Sequence, residues 1–350
     1  MKFLDLFAGI GGFRLGMEAA GHECVGFCEI DKFARESYKA IHDTKGEIEL
    51  HDITAVSDES VRGIGRVDVI CGGFPCQAFS ITGARRGFED TRGTLFFEIA
   101  RFASILKPKY LFLENVKGFL NHDRGNTFKT IIRALDELGY DVEWQLFNSK
   151  HFGVPQNRDR VFIIGHLRGE RSRNVFPFGG KIENADSGLE NEIKKCGTIQ
   201  PNFNQSGIVY EIDGIAPTIR AYQGGNLEPK IRVKEATKQG YSEATIGDSV
   251  NLSHPNSKTR RGRVGKQIAN TLLTGESQGV VEPDFRIRKL TPRECWRLQG
   301  FPDWAFDKAQ KVNSNSQLYK QAGNSVTVNV IAAIAKEFKQ KEKIWKPRVI

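Results

Sequence analysis

The chain has 350 residues, of which 51 are lysine or arginine and 42 aspartate or glutamate, giving a formal net charge of +9 at neutral pH. That length supports a sizeable core without disulfide staples, in one large domain plus a smaller one or in two of equal size, and the positive balance permits a polyanionic partner without requiring one. No apolar run approaches the roughly 18 residues of a membrane helix and Met1 to Asp5 hold no signal-peptide core, so a soluble cytoplasmic protein with no membrane contact is expected. The six cysteines, Cys24, Cys28, Cys71, Cys76, Cys196 and Cys295, form no CxxC pair and no Cys/His cluster at zinc spacing, which argues against a structural metal.

Short apolar strands are expected at 2–7, 24–29, 67–71, 109–114, 141–147 and 161–165, with amphipathic helices near 12–20, 31–41, 94–106 and 126–138. This alternation is the pattern of a doubly wound α/β sheet. Only Asn148 to Arg160 separate the last two strands, too little for another helical crossover, so these two should pair antiparallel and make the sheet mixed. From about residue 170 to 285 the texture turns to Gly, Asn, Ser, Lys and Glu, the mark of a second, loop-rich domain. It contains a weak repeat, Ile215 Ala216 Pro217 Thr218 Ile219 and Ile268 Ala269 Asn270 Thr271 Leu272, each followed by Glu-Pro. A final apolar helix, Val326 to Phe338, is placed to pack back on the first sheet. The expected division is a discontinuous catalytic domain, 1–170 plus 320–345, and a recognition domain, 171–319, with a hinge at 286–302.

The first strand runs into Ala8 Gly9 Ile10 Gly11 Gly12, a glycine-rich turn where open parallel sheets bind ligands. Arg14 stands where a dinucleotide fingerprint has its third glycine, so a pyrophosphate grip is disfavoured. Alone, the turn fits a structural role as well as a ligand site. Glu29, ending the second strand, adds an acid able to accept hydrogen bonds from ribose hydroxyls, and a nucleoside without a diphosphate then fits best. Asp52 and Ile53 are candidates for bonding an adenine amine and covering its ring, with a plain surface acid as the alternative for Asp52. Cys24 and Cys28 read as core.

The strand Val67 to Cys71 ends in Gly72 Gly73 Phe74 Pro75 Cys76 Gln77, which presents Cys76 on a loop, as a nucleophile is usually displayed. Tyr110 to Leu113 ends in Glu114 Asn115 Val116 and delivers a carboxylate to the same sheet edge. Zinc-dependent base deamination is set aside, because neither PCxxC nor HxE occurs here.

With Pro75 Cys76 Gln77 and Glu114 Asn115 Val116 together, the chain resembles the DNA (cytosine-5) methyltransferase family, whose ordered motifs span residue 5 to about 330. The resemblance implies a class I, Rossmann-like S-adenosylmethionine-dependent fold with a smaller target recognition domain, and S-adenosylhomocysteine as product. It assigns Cys76 as nucleophile attacking cytosine carbon 6, Glu114 to the ring nitrogen and exocyclic amine, Arg160 to the cytosine carbonyl and Arg158 as a brace. Phe7, Gly9, Ile10 and Gly11 would meet the cofactor, Glu29 and Ile30 its ribose side, Asp52 and Ile53 the adenine, Gly73 and Pro75 the methionine, and Leu95, Asn324 and Val326 the remaining wall. Ile30 stands where many members carry an aromatic residue. The run Arg288 to Cys295 matches the segment that orders the recognition domain.

For DNA, Ser80 on the loop after the nucleophile would occupy the vacated stack, and Arg85 and Arg86 would help it close. Gln156 would contact the DNA, and Thr271, preferred over Thr218, would press the flipped nucleotide's backbone. The cluster Lys258, Arg260, Arg261, Arg263 and Lys266 would contact phosphates. The implied substrate is double-stranded DNA in a bacterial or phage modification setting, with a restriction endonuclease as functional partner and the enzyme acting as a monomer. A transfer RNA methyltransferase, a silent DNA-binding protein and a nicotinamide oxidoreductase are the weaker alternatives.

Overall fold

The computed structural model describes residues 1–75, 95–170, 174–176, 209–211, 230–255, 257–275, 277–283 and 286–338. Along the first part of the chain run β1 (Lys2–Leu6), α1 (Gly12–Ala19), β2 (Glu23–Cys28), α2 (Lys32–Ile41), β3 (Ile48–Leu50), α3 (Asp58–Gly63), β4 (Val69–Gly73), α4 (Leu95–Leu106), β5 (Tyr110–Val116), α5 (Asn126–Glu137), β6 (Tyr140–Asn148) and β7 (Asp159–Leu167). The seven strands form one sheet in the order β3-β2-β1-β4-β5-β7-β6. Every pairing is parallel except those of β7, which is antiparallel to both β5 and β6. The expected α/β sheet is therefore present, with its last pair antiparallel.

Two apolar layers cover the sheet. Leu4, Leu6, Ile70, Leu111 and Leu113 face α4 and α5, while Phe3, Val69, Cys71 and Phe112 face α1 and the C-terminal helix. Strands buried on both faces lack a polar alternation, which is why they read as continuous apolar runs. Helix starts follow local chemistry: the Asp31 carboxylate accepts from the Phe33 and Ala34 amides to cap α2, and Ser57 caps α3.

Beyond the main sheet, β8 (Val209–Glu211), β9 (Lys230–Lys234) and β10 (Tyr241–Ala244) make a three-stranded sheet. A four-stranded one follows from β11 (Ser249–Asn251), β12 (Val264–Gly265), β13 (Gln278–Val281) and β14 (Ile287–Lys289). Their shared core is small, comprising Ile231, Val233, Ala244, Val250 and Val281. The repeat's first unit lies outside the described residues. In the second, Ala269 bridges to Gln156 before the chain enters β13.

Four helices close the described chain: α6 (Pro292–Leu298), α7 (Asp303–Ala309), α8 (Asn315–Asn324) and α9 (Val328–Glu337). The first three were not legible as separate helices, because runs of seven to ten residues show too few turns of periodicity. The α6 start carries its own signal, a capping box between Thr291 and Glu294 with Pro292 in the first turn. Around Trp296 they enclose a core that includes Ile10 and Ile41. Helix α9 packs on α1 through Val330, Ile331, Ile334 and Phe338. Among the described residues, no helix is long and apolar enough to cross a membrane.

Contact between α1 and α9 depends on Gly16, where an added Cβ would lie 2.6 Å from the Ile331 Cβ and 2.8 Å from the Ala332 backbone nitrogen. Alanine gains about 1 kcal/mol of helix propensity over glycine, but the Ala332 backbone has little freedom to retreat. Gly16→Ala is expected to lose about 1–3 kcal/mol of stability net, read as a lower urea midpoint. Wild-type stability in this variant would contradict the packing.

Candidate active site

Strand order reverses between β1 and β4, and the crevice at the carboxyl ends of these strands is where an open α/β sheet admits a ligand. From β1 the chain makes a left-handed turn, with φ of +54° at Phe7, +57° at Gly9 and +84° at Gly11. Glu29 closes this turn against the end of β2. One carboxylate oxygen accepts from the Gly9 amide and the other from the Asp31 amide, both at 2.8 Å. Burial raises the Glu29 pKa above the ordinary carboxylate value, against the pull of these two amides.

The turn offers no phosphate cradle. Arg14 is buried and committed to Glu18, to both oxygens of Glu47 and to the Asp43 carbonyl. An acid at the strand end beside a glycine turn with no free cation suits a ribose, not a diphosphate. Ile10 projects its side chain into the core around Trp296, and its carbonyl meets the buried His42. Ile30 is 68 % exposed beside Glu29, whereas Ile53 is 3 % exposed and packs in the core. Asp52 uses one oxygen on the amide and hydroxyl of Thr54, and those bonds lower its pKa.

At the next strand end, Gly73 pairs with Glu114. A Cβ on Gly73 would stand 3.3 Å from Glu114 Oε2 and 3.8 Å from Val326 Cγ1, so a side chain there would press the carboxylate out of place by a few tenths of an ångström. Pro75 is exposed and Leu95 is partly exposed at the start of α4. Cys76, Ser80, Arg85 and Arg86 lie outside the described residues. The segment leading to Cys76 is held by Asn115, whose side-chain amide donates to the Phe74 carbonyl at 2.9 Å. Sequence reading assigned Asn115 no such task, since it needs the β4–β5 register to be known.

Antiparallel pairing of β5 with β7 puts Glu114 opposite Phe162 and Val116 opposite Arg160, so Arg160 shares the face of Glu114. Its Nε sits 2.8 Å from Glu114 Oε1. Glu114 is 8 % exposed. Burial raises its pKa above the ordinary value, opposed by Arg160 and then Arg158. The Arg158 guanidinium is buried and donates to the carbonyls of Gly323, Ser325 and Leu272. Burial, then the neighbouring Arg160, lowers its pKa to about 9, which leaves it charged at neutral pH. Asn324 is exposed between the two carbonyls held by Arg158, and Val326 follows.

Two residues expected at a DNA surface are instead internal. Gln156 has no exposed surface; its amide donates to the Leu298 carbonyl and its oxygen accepts from the Leu272 amide, so it brackets two remote segments. Arg263 is 6 % exposed and donates to the carbonyls of Asn251, Lys234 and Pro255, which leaves no guanidinium for a phosphate. Lys266 is ion-paired with Asp248. Of that cluster Lys258, Arg261 and Lys266 are exposed and Arg260 partly so, although Arg261 also donates to the Ala236 carbonyl. Thr271 lies beside Arg158, its hydroxyl donating to the Asn157 carbonyl at 2.7 Å.

Cys24, Cys28, Cys71 and Cys295 are buried, and burial pushes the thiols of Cys24, Cys28 and Cys295 up to about 12 and that of Cys71 well above its usual value. None of these four offers a thiolate at neutral pH.

His42 braces the glycine turn, its Nε2–H donating to the Ile10 carbonyl at 3.2 Å. Burial, then Arg14, lowers its pKa to about 3. An unfolded imidazole takes up its proton near pH 6.5, whereas the folded one does so only about pH 3, so this difference costs stability as pH falls between those limits. Over that window His42→Gln should lose less stability than wild type, by up to about 1.4 kcal/mol per pH unit, in urea titrations at stepped pH. Parallel pH profiles for the two proteins would contradict a neutral buried His42.

With this geometry in view, the relatives are informative. The sequence profile described as C-5 cytosine-specific DNA methylase matches residues 1–340. Orphan methyltransferase M.SPRI of Bacillus phage SPR is 33 % identical, over 96 % of this chain and 97 % of its own. Type II methyltransferase M.HhaI of Haemophilus parahaemolyticus is 37 % identical, over 96 % and 93 %. Among solved structures, a mutant DNMT2 of Spodoptera frugiperda shares the fold at a TM-score of 0.55, with 17 % identity over 97 % of this chain and 99 % of that one. A match over nearly the whole chain, in a fold whose crevice gathers Glu29, Gly73, Glu114 and Arg160, leaves one conclusion: this protein belongs to the C-5 cytosine-specific DNA methylase family.

Proposed function

We propose that the protein methylates carbon 5 of one cytosine within a short recognition sequence of double-stranded DNA, through a transient covalent bond between Cys76 and carbon 6 of the base. What supports this most is the pairing of Gly73 with Glu114, because it sets a buried, arginine-paired carboxylate at the strand end that leads three residues later to Cys76.

Stacked cytosine hides its faces, so the base must first leave the duplex at a cost of a few kcal/mol. The Cys76 thiolate then adds to carbon 6; the sulfur–carbon bond forms as the ring π electrons move toward nitrogen 3, where a proton is shared with Glu114. A carboxyl whose pKa is raised by burial suits that sharing. Arg160 holds the Glu114 carboxylate and offers its remaining N–H groups to the base carbonyl, while Arg158 braces both from behind. Carbon 5 becomes the nucleophile. The family uses S-adenosylmethionine, whose bound sulfonium supplies an electrophilic methyl group. Once carbon 5 carries the methyl, with S-adenosylhomocysteine left as the thioether, the carbon 5 proton passes to water, the nitrogen 3 proton returns to Glu114, the sulfur–carbon bond breaks with its electron pair returning to Cys76, and aromaticity is restored.

For the cofactor we assign Glu29 to the ribose hydroxyls, the free oxygen of Asp52 to adenine, and Phe7, Ile30 and Ile53 to its faces. The backbone of Gly9, Ile10 and Gly11 lines one side, and Gly73, Pro75, Leu95, Asn324 and Val326 the rest. Thr271 is assigned to the flipped nucleotide's backbone, Ser80 to the vacated stack, and Arg85, Arg86, Arg260 and Arg261 to phosphates. Residues 1–170 and 320–345 would then be the catalytic unit and 171–319 the recognition unit, hinged at 286–302. In this reading the enzyme acts as a cytoplasmic monomer whose product resists a separate restriction endonuclease.

The reading is tested by expressing the chain in a host free of cytosine methylation and mapping its DNA by bisulfite sequencing. Protected cytosines confined to one short motif, and absent with Cys76→Ala, are expected. Unmodified DNA from soluble wild-type protein, or protection that survives Cys76→Ala, would overturn it.

A further inference from the structure

The Glu29 turn is held from a part of the chain nearly 300 residues away. Lys320, half-exposed on α8, places its ammonium 2.6 Å from Asp31 Oδ2. Asp31 also caps α2 through Oδ1, and its backbone amide donates to Glu29 Oε1 at 2.8 Å. Neighbours on the same side reinforce the docking. Gln321 and Asn313 both donate to the Phe33 carbonyl, and the Ser37 hydroxyl donates to Gln321. Arg35 contributes from within the turn, donating to the carbonyls of Glu29 and Ile30.

An isolated surface ion pair contributes little, because two mobile side chains must be ordered to make it. Here one partner is already ordered by the α2 amides, so little freedom remains to lose on that side. Burial pushes the Asp31 pKa up, but the Lys320 contact and the two cap amides outweigh it and hold the carboxyl below its usual range. We infer that Lys320 is a positioning residue for cofactor binding: its ion pair with Asp31 keeps the Glu29 carboxylate aimed at the ribose hydroxyls. The inference rests on the proposed role of Glu29.

Equilibrium dialysis with radiolabelled S-adenosylmethionine, without DNA, tests it on the full chain. Lys320→Met should weaken binding by roughly three- to tenfold, the range of a charge-assisted hydrogen bond discounted for exposure. In steady-state methylation the loss should fall on the cofactor KM and not on kcat, and Lys320→Arg should recover most of the affinity. Wild-type affinity in Lys320→Met would overturn the inference. So would equal losses in kcat and affinity with no rescue by arginine, which would mean that α8 had merely loosened. Glu29→Ala separates the premise from the inference: if it binds cofactor like wild type, the ribose assignment itself falls, whereas a large loss there beside an inert Lys320→Met refutes only the role of lysine.

Discussion

Burying the Arg158 guanidinium is the constraint on which the site depends. Removing a cation from water costs several kcal/mol unless its donors are satisfied. Here Nη1 and Nη2 are compensated by three carbonyls far apart in sequence, those of Leu272, Gly323 and Ser325, and the Glu114 carboxylate lies nearby, while the buried Nε has no hydrogen-bond partner among the described residues. The β6–β7 connection, the segment after Ala269 and the α8–α9 turn must therefore meet at one point. That same point fixes the strand end bearing Arg160 and hence its contact with Glu114. Glu114 and Arg160, contributed by separate strands, are brought together because the buried Arg158 charge ties the segments beside them to one point.

The cofactor side obeys a matching rule. The sheet order reverses at β1 and β4, which opens a crevice, and the Glu29 carboxylate closes the glycine turn by taking one amide on each oxygen. Helix α8 serves both sides. Near its start and middle it grips the first turn of α2, and at its end it supplies carbonyls to Arg158. The Glu29 turn and the Arg158 contacts thus share α8 as a support, and the α9 helix that follows it is seated on α1 against the sheet.

Much of this was legible because it is local. Strand ends followed by glycine turns, the acid after β2, and Glu114 at the end of β5 are announced within a few residues, whereas Cys76 lies outside the described residues. The antiparallel β6–β7 pair followed from the short connection between them. What stayed hidden depends on partners remote in sequence. Gln156 and Arg263 are polar residues in loop-like stretches, and nothing nearby announces that their partners are buried backbone groups, in the case of Gln156 more than 100 residues away. Asn115 and Lys320 needed the strand register and the helix docking before their contacts could be seen. Strand β3 is only three residues long, and α6, α7 and α8 are too brief for a periodic pattern to emerge.

Whether covalent addition to the base runs through Cys76 can be read most directly with DNA carrying 5-fluorocytosine at the target position, incubated with the wild-type enzyme and S-adenosylmethionine. Fluorine cannot depart from carbon 5 as a proton does, so the enzyme should remain bonded to carbon 6, and mass spectrometry of the digested complex should find the nucleotide on the peptide containing Cys76. An active enzyme that forms no adduct, or an adduct on any other residue, would contradict the account.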